Sequence, residues 1–391
     1  MVAADTLASI VSSISVLVML ALAGCQGQRA EAPALRGESA DNASAAMSSP
    51  GASSTDQARQ TSNLKPQTPQ EPPEGGTPNE SKRVPAEASK TEPSGPAVEL
   101  ALKFVPGQAA TFKVTTESWK SVEWKGAQDA KPPKFTDGRT GSHVELTFEQ
   151  RVQQVQDDGN AMLEITIGGV KDVIESVNKV VLDFDSGKPT EPDSPLAALV
   201  GKSYRVKMSP QGQVLEISNV EPVRQAVQGV LPQHRVAARL LSDDEIRTRH
   251  EIATLSALKD RQVRPGQTWS SIKTFSFDDL GAKTYERVYT LRPAQHDKGR
   301  VAVVEMKAIP SAALAEELHK RQTVNPFASM SDNTDSYEGR LVLDLDRGQV
   351  REYVEQMQNE WVIADPSAVQ AGRPAAIKMA ARRLHRLEQV E

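Results

Sequence analysis

Alternation of apolar and polar side chains with a period of two dominates the chain from residue 98 onward. One such run contains Phe148 and Val152, and it is followed by the turn residues 157–160 and a second alternating run over 162–167. Successive side chains of a strand point to opposite faces of a sheet, so this pattern predicts strands that bury one face. The Asp-Gly turn between the two runs predicts an antiparallel hairpin.

Three sequence markers occur twice, in the same order. Pro-Gly-Gln precedes an alternating run at 106–108 and again at 265–267. A hairpin turn follows in each half, at 157–160 and at 296–299. The tripeptide Gly-Gln-Val then leads out of a second turn in each half, beginning at Gly212 and at Gly348. Ordered repetition of this kind predicts two similar antiparallel β halves.

A helical linker is predicted between the halves. Residues 221–231 favour a short helix that Pro232 ends. Ser242 and Glu245 then form a capping box, which predicts a second helix that runs to about Leu258. The positions that we expect this helix to bury are Ile246, Ile252, Ala253 and Leu255.

Two later segments extend the second half. Residues 311–321 favour a helix, followed by a polar loop to Asp335. Residues 374–391 suit either a helix or a final strand, and the pattern leaves both open. The predicted fold class is therefore mainly β (α+β), with a first β half over 98–220, a helical linker over 221–261, and a second β half with a basic C-terminal segment over 262–391.

The preceding residues have a composition that does not support a core. Residues 26–97 contain ten Pro, no aromatic residue and four large aliphatic residues. Such a stretch buries too little apolar surface to offset the backbone entropy lost on folding, roughly 1 to 2 kcal/mol per residue. We expect a disordered tether over 25–97.

The N-terminal segment 1–24 resembles a bacterial lipoprotein signal peptide. Residues 7–23 carry no charge, and the segment ends in Leu22, Ala23 and Gly24 before Cys25, which matches the lipobox of that family of signals. The resemblance implies cleavage before Cys25 and attachment of a diacylglycerol to its sulfur, which anchors the protein to a membrane. The alternative is an uncleaved anchor, because about 18 apolar residues are borderline for spanning a bilayer.

The resemblance also implies a cellular location for the protein. The segment departs from the usual signal peptide in having an acidic Asp5 and no Lys or Arg before the apolar run. Residue Gln26 follows the cysteine, and the absence of Asp at that position favours the periplasmic face of the outer membrane of the bacterial cell envelope over the inner membrane.

The order of elements in the folded part resembles a known but uncharacterised family. Two Pro-Gly-Gln openings, an Asp-Gly hairpin, a Gly-Gln-Val hairpin and a helical linker are similar to bacterial lipoproteins that share a domain of unknown function. The resemblance covers most of residues 98–370 and implies a periplasmic, mostly antiparallel β module. It supplies no active site.

Several classes of function are disfavoured by composition and motifs. A net charge of −5 without a long basic stripe argues against a nucleic-acid partner. A single Cys excludes an internal disulfide and any site built from several thiolates. The six His are scattered without metal-ligand spacing, and His250 is expected on an exposed helix face. No nucleophile elbow or phosphate-binding loop occurs, so we predict no catalytic residue, no metal site and no cofactor.

Two groups of residues are candidates for a contact surface. Trp119 and Trp124 lie in a predicted loop over 118–139, where at least one ring should be exposed, whereas Trp269 and Trp361 are expected in the core. The densest basic run lies near the C-terminus and is more typical of a solvated face than of a lipid-docking site. The candidate residues in this run are Lys378, Arg382, Arg383 and Arg386.

Two functional hypotheses remain open. We favour a non-catalytic interaction or structural module of the cell envelope that meets a protein partner through an edge or a loop. The alternative is a carrier for a lipid or another apolar ligand, held inside an open β-barrel or clam. A low aromatic content of 4% favours the first hypothesis, because large apolar side chains usually line a lipid cavity.

Overall fold

The structure is a computed structural model that describes residues 95–188, 194–277, 282–293, 300–311, 331–364 and 376–390. The predicted signal peptide, Cys25 and the tether lie outside the described residues. So do the second-half turn at 296–299 and all but the first residue of the helix predicted over 311–321.

The described residues contain fourteen strands and four α-helices. The strands are β1 (Val98–Glu99), β2 (Ala109–Trp124), β3 (Gly138–Val155), β4 (Ala161–Ser176), β5 (Lys179–Asp185), β6 (Ser203–Met208), β7 (Val214–Ser218), β8 (Gln262–Val263), β9 (Thr268–Ser276), β10 (Ala282–Leu291), β11 (Val301–Pro310), β12 (Ser331–Asp344), β13 (Gln349–Ala364) and β14 (Ala376–Val390). The helices are α1 (Glu221–Ala226), α2 (Pro232–Leu240), α3 (Asp243–His250) and α4 (Ala253–Ser256). Short 3₁₀ turns occupy Gln128–Ala130 and Ala197–Leu199.

Twelve strands form one antiparallel sheet in the order β7-β6-β4-β3-β2-β14-β13-β12-β11-β10-β9, with β5 paired on β4. The first half contributes a meander from β2 to β7, and the second half contributes a meander of the same strand order from β9 to β13. Strand β14 lies between β13 and β2 and joins the two meanders. The mainly β prediction is confirmed, both halves share one sheet, and the ambiguous C-terminal segment is a strand.

The predicted hairpins form where the turn residues allow them. In the β3–β4 turn, Asp158 accepts a hydrogen bond from the backbone N–H of Asn160 at 2.9 Å, and Gly159 adopts a φ of +83°. In the β12–β13 turn, the Asp344 carboxylate accepts hydrogen bonds from the backbone N–H groups of Asp346 and Arg347. Asp side chains of this kind mimic a backbone turn, so Asp344 helps to close the β12–β13 hairpin.

The sheet is strongly rolled, because adjacent residues before β2 bind turns that are far apart along it. The N–H of Leu102 donates to the carbonyl of Pro210 at 2.8 Å, and the N–H of Lys103 donates to the carbonyl of Gly348 at 3.0 Å. Pro210 lies in the β6–β7 turn and Gly348 in the β12–β13 turn, six strand positions apart. Six spacings measure roughly 29 Å along a flat sheet, a gap that two neighbouring residues cannot span.

The helical linker fills the gap between the two sheet edges. Arg247 in α3 donates to the carbonyl of Val214 on edge strand β7 at 2.6 Å. Seven residues along the chain, the carbonyl of Thr254 accepts a hydrogen bond from the indole N–H of Trp269 on the opposite edge strand, β9, at 2.9 Å. The rolled sheet and the linker together enclose one apolar core, which includes Ile246, Ile252 and Leu255 from the linker.

Three element boundaries differ from the predictions. Helix α1 ends at Ala226, and Pro232 occupies the first turn of α2, where a missing N–H costs nothing. Ser242 caps α3 as expected, through the N–H of Glu245 at 3.3 Å, but α3 ends at His250 because Glu251 is extended. Strand β12 begins at Ser331, so residues 331–335 belong to a strand and not to the predicted polar loop.

The contact between Lys103 and Gly348 gives a test of the rolled sheet. A Cβ at Gly348 would lie 2.5 Å from the backbone nitrogen of Lys103, and Gly348 also has a φ of +61°. Gly107 has a φ of +81° but no atom within 4 Å of a Cβ. Gly107→Ala should therefore cost only backbone strain, about 1 kcal/mol, whereas Gly348→Ala should cost about 3 kcal/mol or more.

Urea unfolding of the two variants measures this difference. Equal losses of unfolding free energy in Gly348→Ala and Gly107→Ala would contradict the close approach of residue 103 to the β12–β13 turn.

Candidate functional site

The inner face of the rolled sheet changes character along its strands. Near the linker it is apolar, with Phe112, Val114 and Phe148 all at most 5% exposed. At the other end of the same strands a second apolar group forms, in which Trp124 and Ile377 are buried. Between these two layers the inward-facing positions are polar.

We call this band the polar belt and define it by six inward-facing residues, Thr116 and Ser118 on β2, Thr140 and Ser142 on β3, and Arg383 and His385 on β14. Cross-strand register brings them together: Ser118 lies opposite both Ser142 and Arg383, and Thr116 lies opposite His385. Directly opposite residues on one face have Cβ atoms about 4.5 to 5.5 Å apart. The belt is therefore a continuous patch across three strands.

Most of the hydrogen-bonding groups in the polar belt are unused. Among the described residues, the hydroxyls of Thr116, Ser118 and Ser142 have no partner, and both ring nitrogens of His385 are buried without one. Burial lowers the pKa of His385 to about 4, the nearby Glu355 partly opposes this, and Arg249 adds to it. The ring is consequently neutral at pH 7 and offers one donor and one acceptor.

A buried polar cluster adjoins the belt. Glu355, directly opposite His385, accepts hydrogen bonds from Arg287 at 3.1 Å, from Tyr337 at 2.6 Å and from Tyr353. Arg287 also donates to the hydroxyl of Ser271 at 3.1 Å. We call Glu355, Arg287, Tyr337 and Tyr353 the tyrosine cluster. Burial and the Glu355 charge raise the pKa of both tyrosines, so their hydroxyls remain protonated donors.

The row Thr116, His385 and Glu355 superficially resembles a nucleophile, base and acid arrangement. A working base must be hydrogen-bonded both to its nucleophile and to the group that orients it. Neither ring nitrogen of His385 has such a bond within the described part of the chain, and Glu355 is already held by three donors. The geometry fits hydrogen-bond recognition better than nucleophilic catalysis.

The tyrosine cluster predicts a large and compensable loss of stability. Glu355→Gln leaves the buried guanidinium of Arg287 without a counter-charge, which should cost about 3 to 5 kcal/mol. The double variant Arg287→Met, Glu355→Gln removes both charges and keeps an acceptor for the tyrosines, so most of that loss should be recovered. Urea unfolding of both single variants and the double variant gives the coupling energy; additive losses would show that the pair does not interact.

The linker carries a second buried polar group. The hydroxyl of Tyr204 accepts a hydrogen bond from Arg249 at 3.1 Å and lies 2.8 Å from Nε2 of His250. The tautomer of His250 decides whether Nε2 accepts the Tyr204 proton or donates to the Tyr204 oxygen. Burial lowers the pKa of His250 well below its usual value, and Arg249 adds to this effect. The prediction that His250 is solvent-exposed is wrong, because α3 lies inside the rolled sheet and His250 is 3% exposed.

Asp172 on β4 is fully buried without a partner. It lies between Val144 and Phe184 on the inner face, is 0% exposed, and neither carboxylate oxygen has a hydrogen-bond partner among the described residues. Burial raises its pKa from 3.8 to about 6, against a smaller opposing effect of Arg239. The charged form is therefore disfavoured in the folded state.

This shift fixes the sign of a pH dependence. A raised pKa in the folded state means that the stability contributed by neutral Asp172 is present below about pH 4 and is lost as pH rises to about 6. Asp172→Asn should therefore exceed the wild type in unfolding free energy by roughly 2 to 3 kcal/mol at pH 7.5, with little difference at pH 4. Urea unfolding at both pH values tests this, and a difference that does not change with pH would contradict it.

The two predicted tryptophans do not form an exposed loop. Strand β2 runs to Trp124 and β3 begins at Gly138, so both ends of the predicted loop over 118–139, including the two tryptophans, are sheet. Trp124 points inward, is 6% exposed and packs against Phe135 with ring centroids 5.9 Å apart. Trp119 points outward beneath the guanidinium of Arg139, 4.4 Å from its ring. Of the two tryptophans expected in the core, Trp361 is buried and Trp269 is half-buried.

The four basic residues of β14 point to both faces of the sheet. Lys378, Arg382 and Arg386 face outward, where Lys378 pairs with Glu360 at 2.9 Å and Arg382 lies 3.8 Å from Glu117. Arg383 faces inward, covers the rings of Phe275 and Phe277, and donates to the carbonyl of Ser276 at 3.1 Å. The structure thus splits the six predicted contact residues, and only Arg383 belongs to the polar belt.

The belt was missed at the sequence level, although a signal for it exists. In β2 the residues that share a face with Phe112 and Val114 are Thr116, Ser118 and Lys120, so a buried face turns polar within one strand. A polar run at positions that should be buried departs from binary patterning, and such departures concentrate at functional sites.

A small cavity lies at the linker end of the rolled sheet. Its volume is about 50 Å³, and its lining includes Phe112, Phe148, Met208, His250 and Leu387. Cavities that hold drug-sized ligands measure about 300 to 1,000 Å³, so this one is too small for a lipid chain.

Two further classes of site are absent from the described residues. No group of three or more His, Cys, Asp or Glu side chains in this part of the chain is arranged to hold a metal ion. None of the helices in the same residues combines the length and the hydropathy that a membrane-crossing helix requires.

Comparison with known families supports an uncharacterised domain. A family model described as "Family of unknown function (DUF6263)" matches residues 158–330. The match is shorter than the resemblance over 98–370 predicted, and it runs from the β3–β4 turn across the helical linker into the second half. It carries no functional description.

Comparisons with individual proteins add little. No curated protein matches the chain. A solved structure described as "Lipid-protein interactions in lipovitellin" matches with a TM-score of 0.36 and 12% identity, over 74% of this chain and 26% of that chain. This chain thus spans about a quarter of that chain's length, and a TM-score this low indicates neither a shared fold nor a shared ligand.

Proposed function

We propose that the protein is a membrane-anchored, non-catalytic binding module of the bacterial cell envelope, and that the polar belt is its binding surface. One observation carries this proposal: the two ring nitrogens of the half-buried His385 are enclosed without a hydrogen-bond partner among the described residues, in a belt where the half-buried hydroxyls of Thr116, Ser118 and Ser142 have none either. Buried polar groups in folded proteins are almost always hydrogen-bonded, so an unsatisfied set invites a ligand that satisfies it.

The character of the partner follows from the character of the belt. Hydroxyls and a neutral imidazole recognise donors and acceptors, not alkyl chains. The partner we propose is therefore a polar group, such as an extended peptide segment or a saccharide, presented by another component of the envelope. This specifies the interaction hypothesis without requiring chemistry at the site.

The anchor in this proposal rests on the lipobox. Leu22, Ala23 and Gly24 before Cys25 support acylation, and the tether over 26–97 has a root-mean-square span of roughly 45 to 50 Å if it behaves as a flexible coil. Such a tether would hold the binding module away from the membrane surface. Periplasmic attachment to the outer membrane is part of the same proposal.

The carrier hypothesis has less support. A rolled sheet is the architecture that a carrier would use, but the inner face next to the linker is filled by side chains and leaves a cavity of about 50 Å³. The polar belt on the same inner face disfavours contact with an acyl chain. A lipid that copurifies in stoichiometric amount with the intact protein, detected by native mass spectrometry, would reverse this preference.

Site-specific photo-crosslinking in cells tests the binding surface. A photoreactive phenylalanine analogue replaces Ser118 in the belt, and a control replaces the outward-facing Thr115 on the same strand. Both positions are half-buried, so the side chains differ mainly in the face they occupy. We expect a discrete crosslinked adduct at position 118 that is absent at position 115.

A second change separates binding from folding. Ser142→Trp should fill the belt and abolish the adduct at position 118 while leaving the unfolding free energy within about 1 kcal/mol of the parent, because residue 142 is half-buried. Equal adducts at positions 115 and 118, or none at either, would overturn the proposal that the belt is the binding surface.

A further inference from the structure

The two edge strands of the sheet differ in how their exposed backbone groups are covered. Edge strand β7 has five residues, and the linker covers it: Arg247 binds the carbonyl of Val214, and the N–H of Ile252 donates to the carbonyl of Gly212 just before the strand. Edge strand β9 has nine residues and pairs with β10 alone among the described strands. Among the described residues, the linker thus binds backbone groups at β7, whereas at β9 the guanidinium of Arg383 binds the carbonyl of the last residue, Ser276, and no second strand pairs with the edge.

Strand β9 lacks the devices that normally stop an edge from pairing with another chain. Its register with β10 is continuous over all nine residues, so it contains no bulge, and Thr268–Ser276 contains no Pro. The single charge, Lys273, faces inward, where its ammonium lies 5.8 Å from the centre of the Phe275 ring. Natural edge strands that avoid association usually carry a Pro, a bulge or several charges.

The outward face next to this edge also carries two exposed isoleucines. Ile272 on β9 is 48% exposed and Ile309 on β11 is 58% exposed, and both lie beside Glu286 of the intervening strand. A long, regular and partly apolar edge is a template for strand addition.

We propose that the protein forms a dimer with a second copy of itself by antiparallel pairing of β9 with β9, about a two-fold axis at Ile272. This is an isologous contact, which closes after two copies and buries both unprotected edges at once. The dimer goes beyond the proposed binding function, and its formation at low concentration rests on the proposed membrane anchor.

The sequence of β9 selects this register. With the axis at Ile272, Trp269 of one copy lies opposite Phe275 of the other, and the two Ile272 side chains meet. Hydroxyl residues pair with one another on the outer face, as Ser270 with Thr274 and Thr268 with Ser276. Aromatic pairs and hydroxyl pairs across strands each contribute about 0.2 to 1 kcal/mol.

Moving the two-fold axis by one residue in either direction gives less favourable side-chain pairs. An axis at Lys273 sets two lysines directly opposite each other, which is unfavourable. An axis at Ser271 places Lys273 opposite Trp269 and leaves Phe275 opposite Gln267, beyond the start of the strand. The register centred on Ile272 is the one in which every pair is compatible.

The expected dimer is weak in dilute solution. Pairing of two nine-residue edges buries less than the roughly 1,600 Å² of a standard interface. Anchoring both copies to one membrane raises their local concentration, as a linker does between two binding modules. The first described residue, Gly95, lies beside Pro265 just before β9, so the tether joins the folded part close to this edge.

Cysteine crosslinking in intact cells tests the dimer and its register. The natural chain has one Cys, and acylated Cys25 has no free thiol. Ile272→Cys places one new thiol on the proposed axis, within reach of its copy, because opposite Cα atoms in antiparallel strands are about 4.5 to 5.5 Å apart. Leu215→Cys, on the covered edge strand β7 and 43% exposed, is the matched control.

After oxidation we expect a disulfide-linked dimer from Ile272→Cys and none from Leu215→Cys. Ser270→Cys and Thr274→Cys should crosslink weakly when each is expressed alone and strongly when they are expressed together. No dimer from Ile272→Cys, or equal dimers from Ile272→Cys and Leu215→Cys, would overturn the proposal. A dimer from the natural chain would instead reveal a free Cys25 thiol, which contradicts the proposed anchor and not the pairing of β9.

Discussion

Two neighbouring backbone hydrogen bonds set the shape of the sheet. Leu102 and Lys103 bind the β6–β7 turn and the β12–β13 turn, and these turns lie six strand positions apart in the sheet. Only a rolled sheet brings both turns to adjacent residues, and only rolling gives the sheet an inside that the linker can fill. The close approach of Lys103 requires glycine at 348, where a side chain would meet the backbone.

The rolling of the sheet also determines which buried polar groups find hydrogen-bond partners. The same inward-facing row contains Glu355 and His385 on neighbouring strands. Glu355 meets three donors that strands of the second half carry, and its charge is balanced by Arg287. His385 lies opposite Thr116 of the first half, and its ring nitrogens have no hydrogen-bond partner among the described residues. The belt is where the two halves fail to complete each other's hydrogen bonds.

Local features of this fold could be predicted and long-range ones could not. Alternation and turn residues identified the hairpins, and Ser242 with Glu245 identified a helix start, because each signal acts within a few residues. The exposure of His250 was predicted wrongly, since it depends on Tyr204 and Phe148, which come from distant strands. Trp124 was assigned to a loop because nearby Lys and Pro residues obscured the period of two. To predict the polar belt, one would have to know which face of β2 is enclosed, and only the rolling of the sheet determines that.

The difference between the two edges extends this reasoning to interactions with other molecules. The linker crosses from β7 to β9 inside the rolled sheet and contacts β7 first. Its helices therefore cover the short edge strand without any additional residues. It then leaves through Trp269, whose indole binds the linker from the inner face. Among the described residues, the linker therefore hydrogen-bonds to backbone groups at β7 but to a side chain, the Trp269 indole, at β9.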